Sequence, residues 1–163
     1  MPISAILLSI LGLAPFIGCG LAALGPHVGS AGRMLTALLA WGALVLAFTG
    51  GLHWGLVLRE TGTGPPAVPE ATNRRPHAHV AMAVLPLVLG WVALLLPLVA
   101  AAWLGLLLLI AAYVAALAAE LRWARLCAWP AHYLWLRCGF TIVAVAMLIT
   151  VMTLRLLGQT IVL

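Results

Sequence analysis

The sequence contains no lysine and no aspartate, and only three glutamates among its 163 residues. A phosphate-binding loop of the Walker type needs a lysine, and acid–base catalysis by paired carboxylates needs two acidic groups at one place. The glutamates give no such pair within the apolar segments, because Glu60, Glu70 and Glu120 fall in predicted loops or at helix ends. We therefore expect a protein that is not an enzyme.

Cysteine and charged residues are scarce as well. The three cysteines, Cys19, Cys127 and Cys138, show no C-x-x-C spacing and lie in or beside apolar segments. Such cysteines are typical of free, buried thiols, and they predict neither a disulfide framework nor a metal site. Charged residues make up 7% of the chain and hydrophobic residues 66%, whereas an average soluble domain has about 25% charged residues. The composition predicts one domain inside a lipid bilayer.

Five apolar runs approach the roughly 20 residues that a helix needs to cross about 30 Å of hydrocarbon. We therefore predict an all-α fold, a polytopic membrane helical bundle with five transmembrane helices. Residues 61–76, rich in Pro, Gly and Thr, are predicted to form a flexible cytoplasmic loop. The short spacing at Pro97 predicts a tight antiparallel hairpin of the third and fourth helices. The predicted spans are residues 3–24, 35–57, 78–97, 100–119 and 136–157.

The eight arginines lie unequally on the two sides of these spans. Because cytoplasmic loops carry the excess of positive charge, the side with six arginines is predicted to be cytoplasmic, with the N-terminus in and the C-terminus out. The first helix gives the opposite signal, since Arg33 follows it and no arginine precedes it. Arginines at helix ends orient a chain against lipid, so we expect no nucleic-acid partner. Arg59, Arg74, Arg75, Arg122, Arg125 and Arg137 lie on one side, Arg33 and Arg155 on the other.

Small residues recur at every fourth position of the first two helices. In lipid, small residues let helix backbones approach closely. We therefore predict that these two stripes are packing faces, either against each other or against another membrane protein or a second copy of the chain. The stripes are Ala14, Gly18 and Ala22 in the first helix, and Ala43, Ala47, Gly51 and Gly55 in the second.

A polar cluster is predicted around His53, near the cytoplasmic end of the second helix. At 3.6 residues per turn, His53 points away from Gly51 and shares its face with Thr49 and Gly50. An ionisable residue inside a membrane is by default a candidate functional residue. A contact between His53 and Arg137 could equally be a structural one that joins the second helix to the fifth. The candidates for contact with a ligand or partner are His53, Trp54, His79, Glu120, His132, Tyr133 and Arg137.

Four stretches of the chain resemble a known family. The most specific of them are the segments around Gly50 and Gly51 and around Tyr133 and Arg137, because hydrophobicity alone does not explain them. Together the stretches resemble the uncharacterised membrane-protein family that includes mitochondrial transmembrane protein 69 and proteobacterial proteins. The resemblance implies a multi-pass protein of the bacterial inner membrane and supplies no reaction. The stretches read LGLAPFIGC (11–19), WGALVLAFTGGLHWG (41–55), AVLPLVLGW (83–91) and WPAHYLWLR (129–137).

Three classes of function fit these features. The one that the sequence favours is a non-catalytic accessory subunit, or an assembly or scaffold factor, for a larger membrane complex such as a respiratory one. The second is the binding of a lipid, quinone or haem-type ligand in the cytoplasmic leaflet; His53, His79, His132 and Arg137 are residue types that hold a haem. The third is a small-solute transporter or channel formed by an oligomer. No resident cofactor is expected.

Overall fold

Five α-helices make up the fold. The computed structural model describes residues 3–24, 28–61, 76–124 and 131–160, and within them the side chains of residues 7, 9–24, 31–51, 53, 83–122, 124 and 132–158. The described part of the chain has no strand and is all-α, as predicted. The predicted loop lies outside the described residues from position 62 to position 75. The helices are α1 (Ile3–Ala23), α2 (Val28–Thr61), α3 (Pro76–Val99), α4 (Ala102–Ala124) and α5 (Ala131–Thr160).

Three of the helices contain segments that are long and apolar enough to cross a membrane. These segments are Ala31–Gly51 in α2, Ala102–Arg122 in α4 and His132–Gly158 in α5. Within the described residues, the apolar segments of α1 and α3, Ser9–Ala23 and Ala83–Val99, are shorter. The fold therefore indicates a membrane protein, with one helix over each of the five predicted apolar runs.

The helices are arranged as a closed ring that follows the order of the chain. Each helix packs on the next one, α5 packs on α1, and α2 also contacts α4 across the ring. The predicted hairpin of α3 and α4 is present, and only Ala100 and Ala101 connect the two helices. There the Ala100 N–H donates to the carbonyl of Leu96 over 2.8 Å. Successive helices run antiparallel, whereas α5 runs parallel to α1, and the end of α4 and the start of α5 lie at the same end of the bundle.

The core lies mainly between α1, α2, α4 and α5, and Ala93 of α3 also belongs to it. Phe16 is fully buried, and its ring lies edge-on to Tyr113, with centroids 6.1 Å apart, and to Phe140, with centroids 6.0 Å apart. Because lipid is as apolar as leucine, a core of this kind stabilises the bundle by close packing and not by removing surface from water. The buried aliphatic residues around these rings are Leu38, Leu39, Leu46, Leu106, Leu109, Leu148 and Val151.

Two aromatic side chains add hydrogen bonds between helices in this core. The Tyr113 hydroxyl on α4 donates to the carbonyl of Gly42 on α2 over 2.9 Å. The Trp41 indole N–H on α2 donates to the carbonyl of Gly12 on α1 over 3.0 Å. Such bonds between membrane helices contribute on average about 0.6 kcal/mol each. They hold α2 against its neighbours on two sides.

Two small residues of α2 lie at close approaches to α3: Ala43, which belongs to the predicted stripe and lies against Gly90, and Gly50, which does not belong to it. A Cβ added to Gly50 on α2 would meet the backbone carbonyl of Ala83 on α3. By contrast, Gly18 and Gly51 are exposed, and a Cβ added to either would meet nothing within 4 Å. The prediction that these two glycines mediate packing within the chain is therefore wrong. The side-chain position of Gly55 lies outside the described residues.

The error has a geometric cause. A residue four positions further along an α-helix is rotated by about 40° relative to the first, so a strict four-residue repeat winds around the helix. Along the predicted stripe of α2, Ala43 is buried, Ala47 is half-buried and Gly51 is exposed. On α1, Ala14, Gly18 and Ala22 are all exposed. The face of α2 that is buried follows the 3.6-residue period and passes through Leu46, Thr49, Gly50 and His53.

Candidate functional site

The polar cluster at one end of the bundle is centred on Arg137. Its Nε–H donates to Oε2 of Glu120 on α4 over 2.9 Å, and its Nη2–H donates to Oγ1 of Thr49 on α2 over 3.0 Å. The side chain of Arg137 is 10% exposed and that of Glu120 is 1% exposed. One ion pair and one hydrogen bond thus join α2, α4 and α5, and we call these three residues the Arg137 junction.

The local structure of each helix brings the three groups to the same level. Arg137 lies about 9 Å from the start of α5, and Glu120 lies one turn before the end of α4. On α2, the Thr49 hydroxyl donates its hydrogen to the carbonyl of Val45 over 2.9 Å. Its oxygen lone pairs therefore remain available to accept the hydrogen bond from Arg137.

His53 lies one turn beyond Thr49 on the same face of α2, as predicted, and is buried. Its Nδ1 is 3.1 Å from the carbonyl oxygen of Thr49. Because a carbonyl only accepts hydrogen bonds, Nδ1 carries a hydrogen, and Nε2 of the neutral ring carries a lone pair. Among the described side chains, Arg137 bonds to Thr49 and Glu120 and not to His53. The predicted link between α2 and α5 is thus made by Thr49, to which the sequence had given no role.

A small cavity adjoins the Arg137 junction between α2, α3 and α4. Its volume is about 70 Å³, which is roughly the share of two water molecules in liquid water. The polar lining residues are Thr49, His53 and Glu120. Leu85 and Ala115 are both exposed, so the cavity reaches the outer surface of the bundle between α3 and α4. The remaining lining residues are apolar: Leu85, Pro86, Leu89, Ala112, Ala115, Ala116 and Ala119.

Two buried oxygens near Arg137 have no hydrogen-bond partner among the described residues. They are Oε1 of Glu120 and Oγ1 of Thr141, and both residues are at most 3% exposed. Leaving a buried polar group unpaired costs about 1–3 kcal/mol, and more for a charged group. Such atoms therefore usually meet a water, an ion or a ligand. Glu120 is also one of the residues that line the cavity.

The other predicted site residues are only partly brought together. Tyr133 is half-buried one turn before Arg137 and lies close enough to Glu120 and Arg137 to be influenced by both charges. His132 is exposed and does not line the cavity. The side chains of Trp54 and His79 lie outside the described residues. Within the described part of the chain, no three His, Cys, Asp or Glu residues are grouped so that they could hold a metal ion.

A second arginine of α5 makes a matching junction at the opposite end of the bundle. Nη2 of Arg155 donates to the carbonyl of Ala31 over 2.9 Å and to that of Ala23 over 3.3 Å. The sequence predicts only that this arginine helps to orient the chain. No signal in the sequence identifies its acceptors, because they are backbone carbonyls of two other helices.

The two arginine junctions are separated by about one thickness of hydrocarbon. Arg137 and Arg155 are 18 residues apart on α5, and their partners Thr49 and Ala31 are also 18 residues apart on α2. This spacing corresponds to about 27 Å along a helix, compared with about 30 Å for the hydrocarbon layer. Because α2 and α5 do not pack on each other within the described residues, long arginine side chains are needed to connect them.

Comparison with known proteins gives a family and no activity. A family model described as "Protein of unknown function (DUF3429)" matches residues 1–153. No curated protein matches the chain, and no solved structure does. These findings do not show the link to mitochondrial transmembrane protein 69 or to proteobacterial proteins, which stays a prediction.

Proposed function

We propose that this chain, which belongs to the DUF3429 family of proteins of unknown function, is a non-catalytic membrane protein that binds a small amphipathic ligand from the lipid phase. The observation that carries the proposal is the Oε1 atom of Glu120. Within the described residues it is buried and unpartnered, and Glu120 lines a cavity that reaches the outer surface of the bundle. An unpaired carboxylate oxygen inside a membrane is costly unless something binds to it.

The proposed location is the bacterial inner membrane, with five crossings and the cavity in the cytoplasmic leaflet. The three long apolar segments and the spacing of about 27 Å between the two arginines of α5 support a transmembrane bundle. The excess of arginine at the end that holds Arg137 supports the orientation. Reporter fusions should place the two termini on opposite sides of the membrane. Termini on the same side would rule out five crossings.

The lining and the volume of the cavity indicate the class of ligand that it can hold. Only three of the ten described residues that line it are polar, and the path to the surface passes apolar residues of α3 and α4. We therefore propose a ligand with a polar head beside Glu120 and a hydrocarbon tail that leaves the cavity between Leu85 and Ala115. At about 70 Å³ the cavity is much smaller than a site that encloses a drug-sized molecule, about 300–1,000 Å³. It has room for a small head.

Blocking the mouth of the cavity tests this function. Replacing Ala115 by phenylalanine is expected to weaken binding at least about tenfold, because the added ring occupies the route of the tail. Ala111→Phe is the matched control, since Ala111 is also exposed, lies one turn earlier on α4 and does not line the cavity. The measurement is native mass spectrometry of the detergent-solubilised protein titrated with 2-decanol.

The wild-type protein and Ala111→Phe should each bind one molecule of 2-decanol per chain with the same affinity. Binding by Ala115→Phe that equals the wild type, or no saturable binding by the wild type, would overturn the proposed function.

A second function, that of an accessory subunit or assembly factor of a larger membrane complex, is favoured by the glycines that face outward. Gly18 and Gly51 have nothing within 4 Å of an added Cβ, and exposed small residues let a helix of another protein approach closely. Extraction in a mild detergent should then recover the chain with a larger partner, and Gly51→Leu should release it. Recovery as a sharp monomer without any co-purifying chain would count against this role.

A further inference from the structure

We infer that the cavity selects a ligand whose head carries a hydroxyl hydrogen, as in an alcohol, a phenol or a quinol, over one whose head only accepts hydrogen bonds, as in a ketone or a quinone. This inference rests on the proposed function, because it names the chemistry of the head that the same cavity holds. It follows from where the hydrogens of the three polar lining residues are directed.

Glu120 contributes an acceptor. Its Oε2 receives the Nε–H of Arg137 over 2.9 Å, which marks the group as the carboxylate of an ion pair. An ionised carboxylate has lone pairs on both oxygens and no hydrogen to donate. Oε1 is buried and receives no hydrogen bond from the part of the chain that the structure describes. Only a donor can satisfy this oxygen.

His53 contributes a second acceptor. The hydrogen on its Nδ1 is directed to the carbonyl of Thr49. In the neutral imidazole the other nitrogen, Nε2, then has a lone pair and no hydrogen. His53 therefore also offers the cavity a site that a donor fills.

The third polar lining residue, Thr49, has no free hydroxyl hydrogen to donate to a ligand. Its hydroxyl hydrogen is directed to the carbonyl of Val45, and its oxygen receives a hydrogen bond from Arg137. Arg137 itself does not line the cavity. The described polar residues of the lining thus offer a ligand hydrogen-bond acceptors. A ketone oxygen has no hydrogen to donate, so it would leave Oε1 of Glu120 unpaired. A hydroxyl hydrogen would pair with it.

A matched pair of probes tests the selectivity. 2-Decanol and 2-decanone have the same carbon skeleton, and only the head oxygen of 2-decanol carries a hydrogen that it can donate. The wild-type protein is expected to bind 2-decanol at least about tenfold more tightly than 2-decanone, because sites with paired polar groups discriminate strongly against analogues that leave a group unpaired. Native mass spectrometry of the detergent-solubilised protein gives both affinities.

Two outcomes separate this inference from the proposed function. Equal binding of both probes, with both blocked by Ala115→Phe, would overturn the selectivity and leave the proposed function in place. Failure of the wild type to bind either probe would overturn both.

Replacing each acceptor residue should change the preference between the two probes, which a change in stability alone would not do. Glu120→Gln places an amide that can turn its N–H toward the cavity, so the preference should shift toward 2-decanone. His53→Phe should reduce the preference for 2-decanol, and His132→Phe, an exposed histidine outside the cavity, should not change it. If Glu120→Gln does not fold, the probe preferences of His53→Phe and His132→Phe still test the inference. An unchanged preference in His53→Phe would then contradict the assignment.

Two natural sources share this hydroxyl chemistry. A glycerolipid alcohol presents an aliphatic hydroxyl, and a quinol presents a ring hydroxyl. Titration with dioctanoylglycerol tests the first source, and titration with decylhydroquinone tests the second. Binding of either probe supports a hydroxyl head. Binding of neither, together with equal binding of 2-decanol and 2-decanone, would overturn the inference.

Discussion

Replacing Arg137 by methionine is expected to destabilise the bundle by about 3–5 kcal/mol, the cost of removing one partner from a buried ion pair. The substitution leaves the carboxylate of Glu120 buried without a counter-charge, and it also removes the hydrogen bond to Thr49. The free energy of unfolding in mixed detergent micelles, with increasing fractions of SDS, measures the effect.

Arg33→Met is the control for this substitution. Arg33 is an exposed arginine of α2, so its replacement should change the free energy of unfolding by no more than about 0.5 kcal/mol. In the double variant Arg137→Met with Glu120→Gln, the buried charge is removed as well, and part of the lost stability should return. Equal losses in Arg137→Met and Arg33→Met would contradict the arrangement of the Arg137 junction.

Replacing Gly50 by alanine is expected to destabilise the bundle by about 1–3 kcal/mol, the usual cost of overpacking. The added Cβ would meet the backbone carbonyl of Ala83. Backbone atoms cannot turn aside as a side chain can, so α3 would have to move away from α2 as a whole. The cavity lies between these helices and α4, so binding of 2-decanol should weaken at the same time.

The neighbouring glycine provides the control for this prediction. Gly51 is exposed, and a Cβ added there meets nothing within 4 Å. Gly51→Ala should therefore leave the stability unchanged or raise it by up to about 1 kcal/mol, since alanine is the better helix former. Thermal denaturation of the two variants in one detergent gives the comparison. A stable Gly50→Ala protein would mean that α2 and α3 do not approach each other at this position.

Much of the candidate site was predictable at the level of single helices. The 3.6-residue period places Thr49, Gly50 and His53 on one face of α2, and the structure buries all three. The partners across helices were predicted less well, because they depend on how each helix is rotated about its axis. Thr49, not His53, receives the hydrogen bond from Arg137. Tyr113 and Arg155 donate to backbone carbonyls. Every residue has a backbone carbonyl, so the sequence does not show which one accepts these hydrogen bonds.

The number, the approximate position and the apolar character of the helices were determined by the sequence alone, because a membrane-crossing helix satisfies its own backbone and needs only enough consecutive apolar residues. The tertiary structure decided which faces meet. In lipid both faces of a helix are apolar, so hydrophobic periodicity does not reveal its rotation, as the outward-facing Gly18 and Gly51 show. The cavity beside Glu120 and His53 is formed by residues of α2, α3 and α4 together. It could therefore not be predicted from any single segment of the chain.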